Sequence, residues 1–398
     1  MIKSINLTNF LSFGNESTLN DLYPLNILIG TNGSGKSNFI EAFDLLQNAA
    51  TNIFKPIREG GGVSDWIYKG LKHNVDATLD FVVSNKLANC KYDELRYKIT
   101  FGAVGQRFEI MDEQLVSKEP DPIEQKPYVF YEYNNGRPIL NIQGEASSSE
   151  PRLHSLRRED IDITQSILAQ KRDAIHYPEI THIAQEFSKI RIYRDWQFGR
   201  FTPPRLQQKV DLPNQYLEPD CGNLGLVLNQ IRKDYPSKKR LLKELKYFYN
   251  DIVDYDIDLS GGTVQIFFQE RGLRSPVPST RLSDGTLRYL CLLAILIHPS
   301  PPPLVCIEEP ELGLHPDILP NLSKLLREAS ESSQLIVTTH SEIIVDSFTD
   351  EPDVVLVAEK LESGTHLNHL SKEELLPWLS TYRLGDLWTR GDIGGTRW

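Results

Sequence analysis

Apolar positions at Ile2, Ile5 and Leu7, followed by the run Leu25-Asn26-Ile27-Leu28-Ile29, predict two strands that close on a glycine-rich turn. The next apolar positions, Phe39, Ile40, Phe43 and Leu46, fall at spacings of one, three and three, which places them on one face of a helix. From residue 77 to 142 the pattern becomes alternating, as in Thr78-Leu79-Asp80-Phe81-Val82-Val83 and Tyr97-Lys98-Ile99-Thr100-Phe101, the mark of an antiparallel sheet. Its clearest hairpin spans 128–142 and turns at Asn134-Asn135-Gly136.

Residues 143–250 open on a polar Gly/Ser/Glu stretch and continue with helical spacing at 224–231 and 241–249. No heptad pattern persists there, so no long coiled-coil arm is expected. After a strand at 263–269, apolar runs at 304–307, 335–339 and 354–358 alternate with helical stretches, the βαβ rhythm of a parallel sheet. The pattern divides the chain into an N-terminal lobe with an antiparallel β subdomain at 1–142, an inserted helical lobe at 143–250, a C-terminal lobe at 251–370 and an aromatic tail at 371–398.

Composition narrows the class. With 40% hydrophobic and 24% charged residues in 398, the chain is neither disordered nor collagen-like. A net charge of −11 argues against general affinity for nucleic acid, yet residues 152–246 hold 18 basic and 12 acidic side chains, so the middle alone is basic. The four cysteines form no CxxC pair and read as reduced packing residues, without a zinc site. The first ten residues lack a signal-peptide core, and the longest apolar run, 289–297, is too short for a bilayer, so a cytoplasmic protein with no membrane partner is expected.

The turn after the second strand reads Gly30-Thr31-Asn32-Gly33-Ser34-Gly35-Lys36-Ser37, a phosphate-binding loop between strand and helix. Glycines let successive backbone N–H groups curl around a phosphate at a helix N-terminus, Lys36 reaches the β and γ phosphates, and the Ser37 hydroxyl binds Mg²⁺; Asn38 continues the cradle. The expected fold is therefore an α/β P-loop NTPase working on ATP and Mg²⁺. Leu304-Val305-Cys306-Ile307-Glu308-Glu309 is an apolar strand ending in two acids. Such a pair is ordinarily a solvated loop, but downstream of a phosphate loop Glu308 is expected to hold the metal or its water and Glu309 to act as general base. His340 ends the next apolar strand, at the carboxyl edge where ligands bind in parallel sheets, which favours a γ-phosphate sensor over a purely structural histidine. Ser283-Asp284-Gly285 precedes an apolar helix. Ser283 is either a plain N-cap or part of a helix start that presents N–H groups to a phosphate held by a second protomer.

Together, residues 30–37, 282–286, the string Glu308-Glu309-Pro310-Glu311-Leu312-Gly313-Leu314-His315-Pro316 and Thr338-Thr339-His340-Ser341 resemble the ABC-type ATPases of the RecF and structural-maintenance-of-chromosomes class. Asn9-Phe10-Leu11-Ser12-Phe13 is similar to the opening of that class, and Lys36 and Glu308 stand 272 positions apart, as in a core split by an insertion. The resemblance is nearest to the stand-alone AAA-family ATPases of bacterial defence loci, and it extends to Tyr382-Arg383-Leu384-Gly385-Asp386-Leu387-Trp388 and Ile393-Gly394-Gly395. It implies a homodimer, or an oligomer of dimers, that sandwiches two ATP molecules, with Ser283, Asp284 and Gly285 at the γ-phosphate in trans, Glu309 as base and His340 as sensor. Four departures stand out: Ser-Asp-Gly replaces Ser-Gly-Gly, Glu308 replaces aspartate, Leu11 replaces a basic residue, and Gln106 is the only guess for a nucleotide-linking glutamine. The first two imply altered metal geometry and slow turnover.

Three functions follow. One is a dimeric ATPase switch for a separate, nuclease-like effector in anti-phage defence; residues 341–398 are too few for an independent effector domain. Trp378, Trp388 and Trp398 crowd the tail as packing or docking residues, with Trp398 the better docking candidate. The second is a RecF-like repair factor that holds nucleic acid on the 152–246 lobe through Arg232, Lys233, Lys238, Lys239, Arg240, Lys243 and Lys246. The third is a scaffold that binds ATP with little turnover.

Overall fold

The strand Leu25–Gly30 is buried at all six positions, the pattern of a parallel strand covered on both faces. In the computed structural model it runs parallel to Val355–Leu361, with Ile27 opposite Val355 and Gly30 opposite Ala358. Val355–Leu361 then folds back on Gly364–His369 as an antiparallel hairpin. The structure describes residues 1–15, 20–70, 75–88, 90–122, 125–134, 136–142, 152–155 and 160–396. These gather into two compact units, the first comprising Met1–Ile190, Asp353–Ser371 and Arg390–Trp398, the second Arg191–Pro352 and Lys372–Thr389. Segment 143–250 thus contributes to both.

In the first unit the loop after Leu25–Gly30 feeds the helix Lys36–Ala49, whose Phe39, Ile40, Phe43 and Leu46 are all buried as their spacing predicts. The Phe43 ring sits 6.4 Å from that of Phe81, so the helix packs on the alternating segment. That segment is an eight-stranded antiparallel sheet in the order Asn20–Asp21, Ile2–Thr8, Ala77–Ser84, Glu94–Val104, Arg107–Pro120, Pro127–Asn134, Arg137–Ile142, Arg152–Ser155. The hairpin read at 128–142 is present, with Asn134 opposite Arg137; Asn135 at its tip lies outside the described residues. The Glu113 carboxylate is buried in this unit and accepts from the Tyr97 hydroxyl at 2.8 Å, the Ser166 hydroxyl at 2.5 Å and the Ile167 N–H at 2.9 Å. Burial pushes its carboxyl up to about 7 against the pull of those hydrogen bonds.

In the second unit three parallel strands lie side by side, Arg191–Tyr193, Leu304–Glu308 and Gln334–Thr338, with Cys306 between Ile192 and Ile336. Arg191–Tyr193 is only three residues long and carries no legible alternation, so the sequence gives helix patterns around it and no strand. The helix Asp284–Leu296 buries ten side chains, consistent with the near-continuous apolar run that forms it. The helices Leu224–Lys233 and Tyr235–Phe248 meet at Asp234, whose carboxylate caps the second through the Ser237 N–H at 3.0 Å. Phe248 stacks on Tyr289 with ring centroids 4.6 Å apart, joining that helix to Asp284–Leu296. The hairpin Ile252–Ser260 and Thr263–Glu270 completes the unit. Among the described residues the longest helices have 14 residues, so no long coiled coil is present, and no helix is long and apolar enough to cross a membrane.

Candidate functional site

In the first unit, Gly30, Gly33 and Gly35 take φ values of 148°, 80° and 105°, conformations that favour glycine. A Cβ on Gly30 would stand 2.3 Å from the Ala358 carbonyl oxygen, and one on Gly35 would stand 2.3 Å from Thr365 Oγ1. The loop is closed by the Ser34 N–H donating to the Thr31 carbonyl at 3.1 Å. Lys36 Nζ folds back over it, donating to the carbonyls of Gly30 at 2.8 Å and Thr31 at 3.0 Å. From outside, the Thr365 hydroxyl donates to the Ser34 carbonyl at 2.9 Å and lies 2.7 Å from Ser12 Oγ. Asn32, Gly33 and Ser37 are exposed, and Thr31 and Asn38 are half-buried.

These residues fit a phosphate-bearing nucleotide. The helix Lys36–Ala49 starts at left-handed Gly35 with no side-chain cap, leaving its first N–H groups for an anion. Ser34 Oγ is buried with no hydrogen-bond partner among the described residues, an orphan that a phosphate oxygen would satisfy.

In the second unit Glu308 ends its strand and Glu309 follows with φ 44°, a left-handed conformation that costs a non-glycine residue energy. The strain is held in place: the Glu309 N–H donates to the Thr338 carbonyl at 3.1 Å and reaches Thr338 Oγ1 at 3.3 Å. His340 Nε2 stands 3.5 Å from Glu309 Oε1, each side chain about a third exposed. Beneath them Glu311 Oε1 accepts from the Thr339 hydroxyl and the His340 N–H, both at 2.7 Å. Burial raises the Glu311 carboxyl above its ordinary value, opposed by those hydrogen bonds and helped by the charge of Glu309.

Glu308 and Glu309 face a cavity of about 410 Å³ with Gln197, Arg288 and Leu312. The Arg288 guanidinium lies beside the neighbouring rings of Trp196 and Phe198, at 5.6 and 5.1 Å from their centroids. Burial lowers its affinity for the proton, while the nearby carboxylates of Glu311 and Glu309 support its charge. Gln197, which sequence reading did not single out, lines this cavity after the unrecognised strand Arg191–Tyr193. Gln106, the guess for a nucleotide-linking glutamine, sits in the exposed turn between Glu94–Val104 and Arg107–Pro120.

Ser283 caps the helix Asp284–Leu296, its Oγ accepting from the Thr286 N–H at 3.1 Å. A Cβ on Gly285 would meet the Gly313 carbonyl at 3.0 Å, so this helix start presses on the loop after Glu309. Asp284 pairs with Arg205, a partner 79 positions away that no local pattern announces. In the tail, Trp388 is 8% exposed and packs within its unit, Trp378 is 49% exposed, and Trp398 lies outside the described residues.

A family profile described as "AAA domain, putative AbiEii toxin, Type IV TA system" matches residues 25–346, a span that takes in the phosphate loop, Glu308-Glu309 and His340. The chain belongs to this AAA-domain family. Its members are P-loop ATPases, and the fold of this AAA-domain chain is that of the structural-maintenance-of-chromosomes heads. One similar structure, an Smc head bound to the C-winged helix domain of ScpA, has TM-score 0.59 and 15% identity, covering 94% of this chain and 99% of that one. A second, an Smc head with an extended coiled coil bound to the C-terminal domain of ScpA derived from Pyrococcus furiosus, has TM-score 0.54, 14% identity and coverage of 95% and 98%. A third, an Smc head with a coiled coil and joint derived from Pyrococcus yayanosii, has TM-score 0.53, 10% identity and coverage of 95% and 99%. No curated protein matches the AAA-domain chain.

Proposed function

We propose that this ATPase binds and hydrolyses Mg·ATP as a homodimer and uses its nucleotide state to control a separately encoded, nuclease-like effector in bacterial defence. The observation that carries the reading is Glu309, held at φ 44° by Thr338 with His340 Nε2 at 3.5 Å from its carboxylate. Strain of this kind persists where the surroundings impose it for a purpose. The Glu309 carboxylate takes the proton of the attacking water, and His340 orients that carboxylate and senses the γ-phosphate. Lys36 leaves the loop carbonyls for the β and γ phosphates, and Ser34, Gly35 and Asn38 line the cradle with Gly30, Thr31, Asn32 and Gly33. Mg²⁺, when bound, would neutralise charge at the phosphates, and Ser37 and Glu308 are the residues that would hold it. Ser283 and Gly285 receive the γ-phosphate held by the other protomer, with Asp284 between them at the helix start.

In this reading residues 1–142 and 251–370 form most of the ATPase head, the inserted 143–250 adds to it the strand Arg191–Tyr193 with Gln197 and Arg205, and 371–398 is accessory. The defence setting rests on the family description, and a protein partner is supported by the Smc heads bound to ScpA domains. The repair alternative is weakened by the basic residues of the two helices Leu224–Lys233 and Tyr235–Phe248 themselves. Arg232 pairs with Asp256, Lys238 with Asp254 at 3.2 Å and Arg240 with Glu328, so much of that charge is spent within the chain.

Glu309→Gln tests the proposal, because it removes the base and keeps the shape. We expect fluorescent ATP to bind as it does to the parent, turnover to vanish, and the native mass to double with Mg·ATP. A parent protein that binds ATP without turnover, even beside its partner, would establish the scaffold reading instead. Co-purified nucleic acid on the trapped dimer would favour repair.

A further inference from the structure

We propose that Arg205 is the charge-compensating positioning residue of the Ser283-Asp284-Gly285 helix start, the group that lets a carboxylate stand where a terminal phosphate is received. The inference rests on the trans-phosphate role given to Ser283 and Gly285 above. Arg205 ends the short turn Pro203–Arg205, and its side chain is only 8% exposed. One guanidinium makes four bonds: Nε to the Gly199 carbonyl at 3.2 Å, Nη1 to the carbonyls of Thr280 at 3.2 Å and Leu282, and Nη2 to the Asp284 carboxylate. Among the described residues, Asp284 is its only anionic partner.

Two consequences follow from this web. A buried cation requires a counter-charge, and carbonyl dipoles do not supply one, so Asp284 completes what burial of Arg205 demands. In the other direction, the Asp284 side chain is 64% exposed at the first position of the helix, between the two residues assigned to the γ-phosphate. Left alone, that carboxylate would repel a phosphate; bridged to Arg205, the pair is neutral. Two of the three carbonyls that Arg205 grips belong to residues 280 and 282, just before Ser283, so the same group sets the backbone from which the Ser283 hydroxyl is presented. Lysine cannot reproduce this, since three carbonyls and a carboxylate are met by a planar fork with five donors.

The test is steady-state Mg·ATP turnover and ATP-driven dimerisation of the full chain carrying R205Q, R205K, D284N and R205Q/D284N. R205Q should raise KM at least tenfold at low salt, and the defect should shrink as salt screens the uncompensated carboxylate. Adding D284N should recover at least fivefold, whereas R205K should not. D284N removes the counter-charge of the buried Arg205 and should lower stability; in the folded variant the uncompensated Arg205 cation is left beside the phosphate, so KM should fall threefold or more. A parental KM in R205Q, a defect insensitive to salt, or a folded R205Q that D284N does not rescue overturns the proposal. If R205Q does not fold, an unchanged or higher KM in D284N does so. Loss of turnover in the parent counts against the ATPase reading, whereas normal parental turnover with indifferent 205 and 284 variants counts against this inference alone.

Discussion

His340 Nε2 and Glu309 Oε1 stand 3.5 Å apart, and the loops that carry them are fastened together beneath by Glu311, which accepts from the His340 N–H and the Thr339 hydroxyl. The histidine is thus fixed by its backbone as well as by its ring. Glu311→Ala should release that fastening and lower kcat by roughly 10- to 100-fold, as small misplacements of catalytic groups do. KM should change little, because the phosphate loop is untouched. Glu311→Gln keeps an acceptor and should retain most of the rate. Equal kcat in the Ala and Gln variants would remove the positioning role.

Gly30 and Gly33 share a left-handed backbone but differ in their surroundings. Gly30→Ala drives a Cβ to 2.3 Å from the Ala358 carbonyl, while Gly33→Ala meets nothing within 4 Å. The first should cost roughly 2–3 kcal/mol and abolish ATP binding. The second should cost only the conformational strain, about 1 kcal/mol. Thermal melts with and without Mg·ATP distinguish the two, and equal losses would contradict the geometry.

Glu113 should make stability fall as pH rises. Its folded carboxyl is pushed up to about 7 by burial, above its ordinary 4.5, so the folded chain holds a proton that the unfolded chain has released between those values. The contribution is complete below about 4.5 and is lost as pH climbs through about 7, an effect on the order of 3 kcal/mol at most. Glu113→Gln should flatten the melting temperature between pH 5 and 8 and leave the variant more stable than the parent at pH 8. A slope that survives the substitution would assign the pH effect to other groups.

Trp388 and Trp378 should behave oppositely. At 8% exposure, Trp388→Ala should destabilise by roughly 3–5 kcal/mol. At 49% exposure, Trp378→Ala should shift stability by less than about 1 kcal/mol. Chemical denaturation measures both.

Reversing Lys238, Lys239 and Arg240 to Glu addresses nucleic acid. Lys238 and Arg240 pair with Asp254 and Glu328, so the triple change should lower stability by about 1–2 kcal/mol through like-charge contacts. Retention on single- or double-stranded DNA at 50 mM salt should be the same for parent and variant; a salt-dependent loss confined to the variant would restore the repair reading.

What the sequence made legible was whatever a short string determines. The loop of residues 30–38 and the acids 308 and 309 announce themselves because their chemistry needs fixed spacing, and the buried helix face at Phe39, Ile40 and Phe43 follows from period alone. Arg205 was not legible, since three of its four partners lie 75 to 79 positions away and an isolated arginine beside two prolines has no pattern. Glu311 was in plain view within a recognised string, yet only the fold shows that it accepts from His340 and not from solvent. Gln197 was hidden by a three-residue strand whose burial comes from its neighbour Leu304–Glu308 and not from its own alternation.

The Thr365 hydroxyl, which braces the phosphate loop at Ser34 and Ser12, comes 331 positions after the first and 353 after the second. Synthesis runs from the N-terminus, so a ribosome finishes the loop motif early and its brace very late. Until residue 365 has left the exit tunnel, the nascent protein carries a nucleotide motif without the clamp that shapes it. The braced form of the loop is therefore closed to the nascent chain until the hairpin that carries Thr365 has emerged.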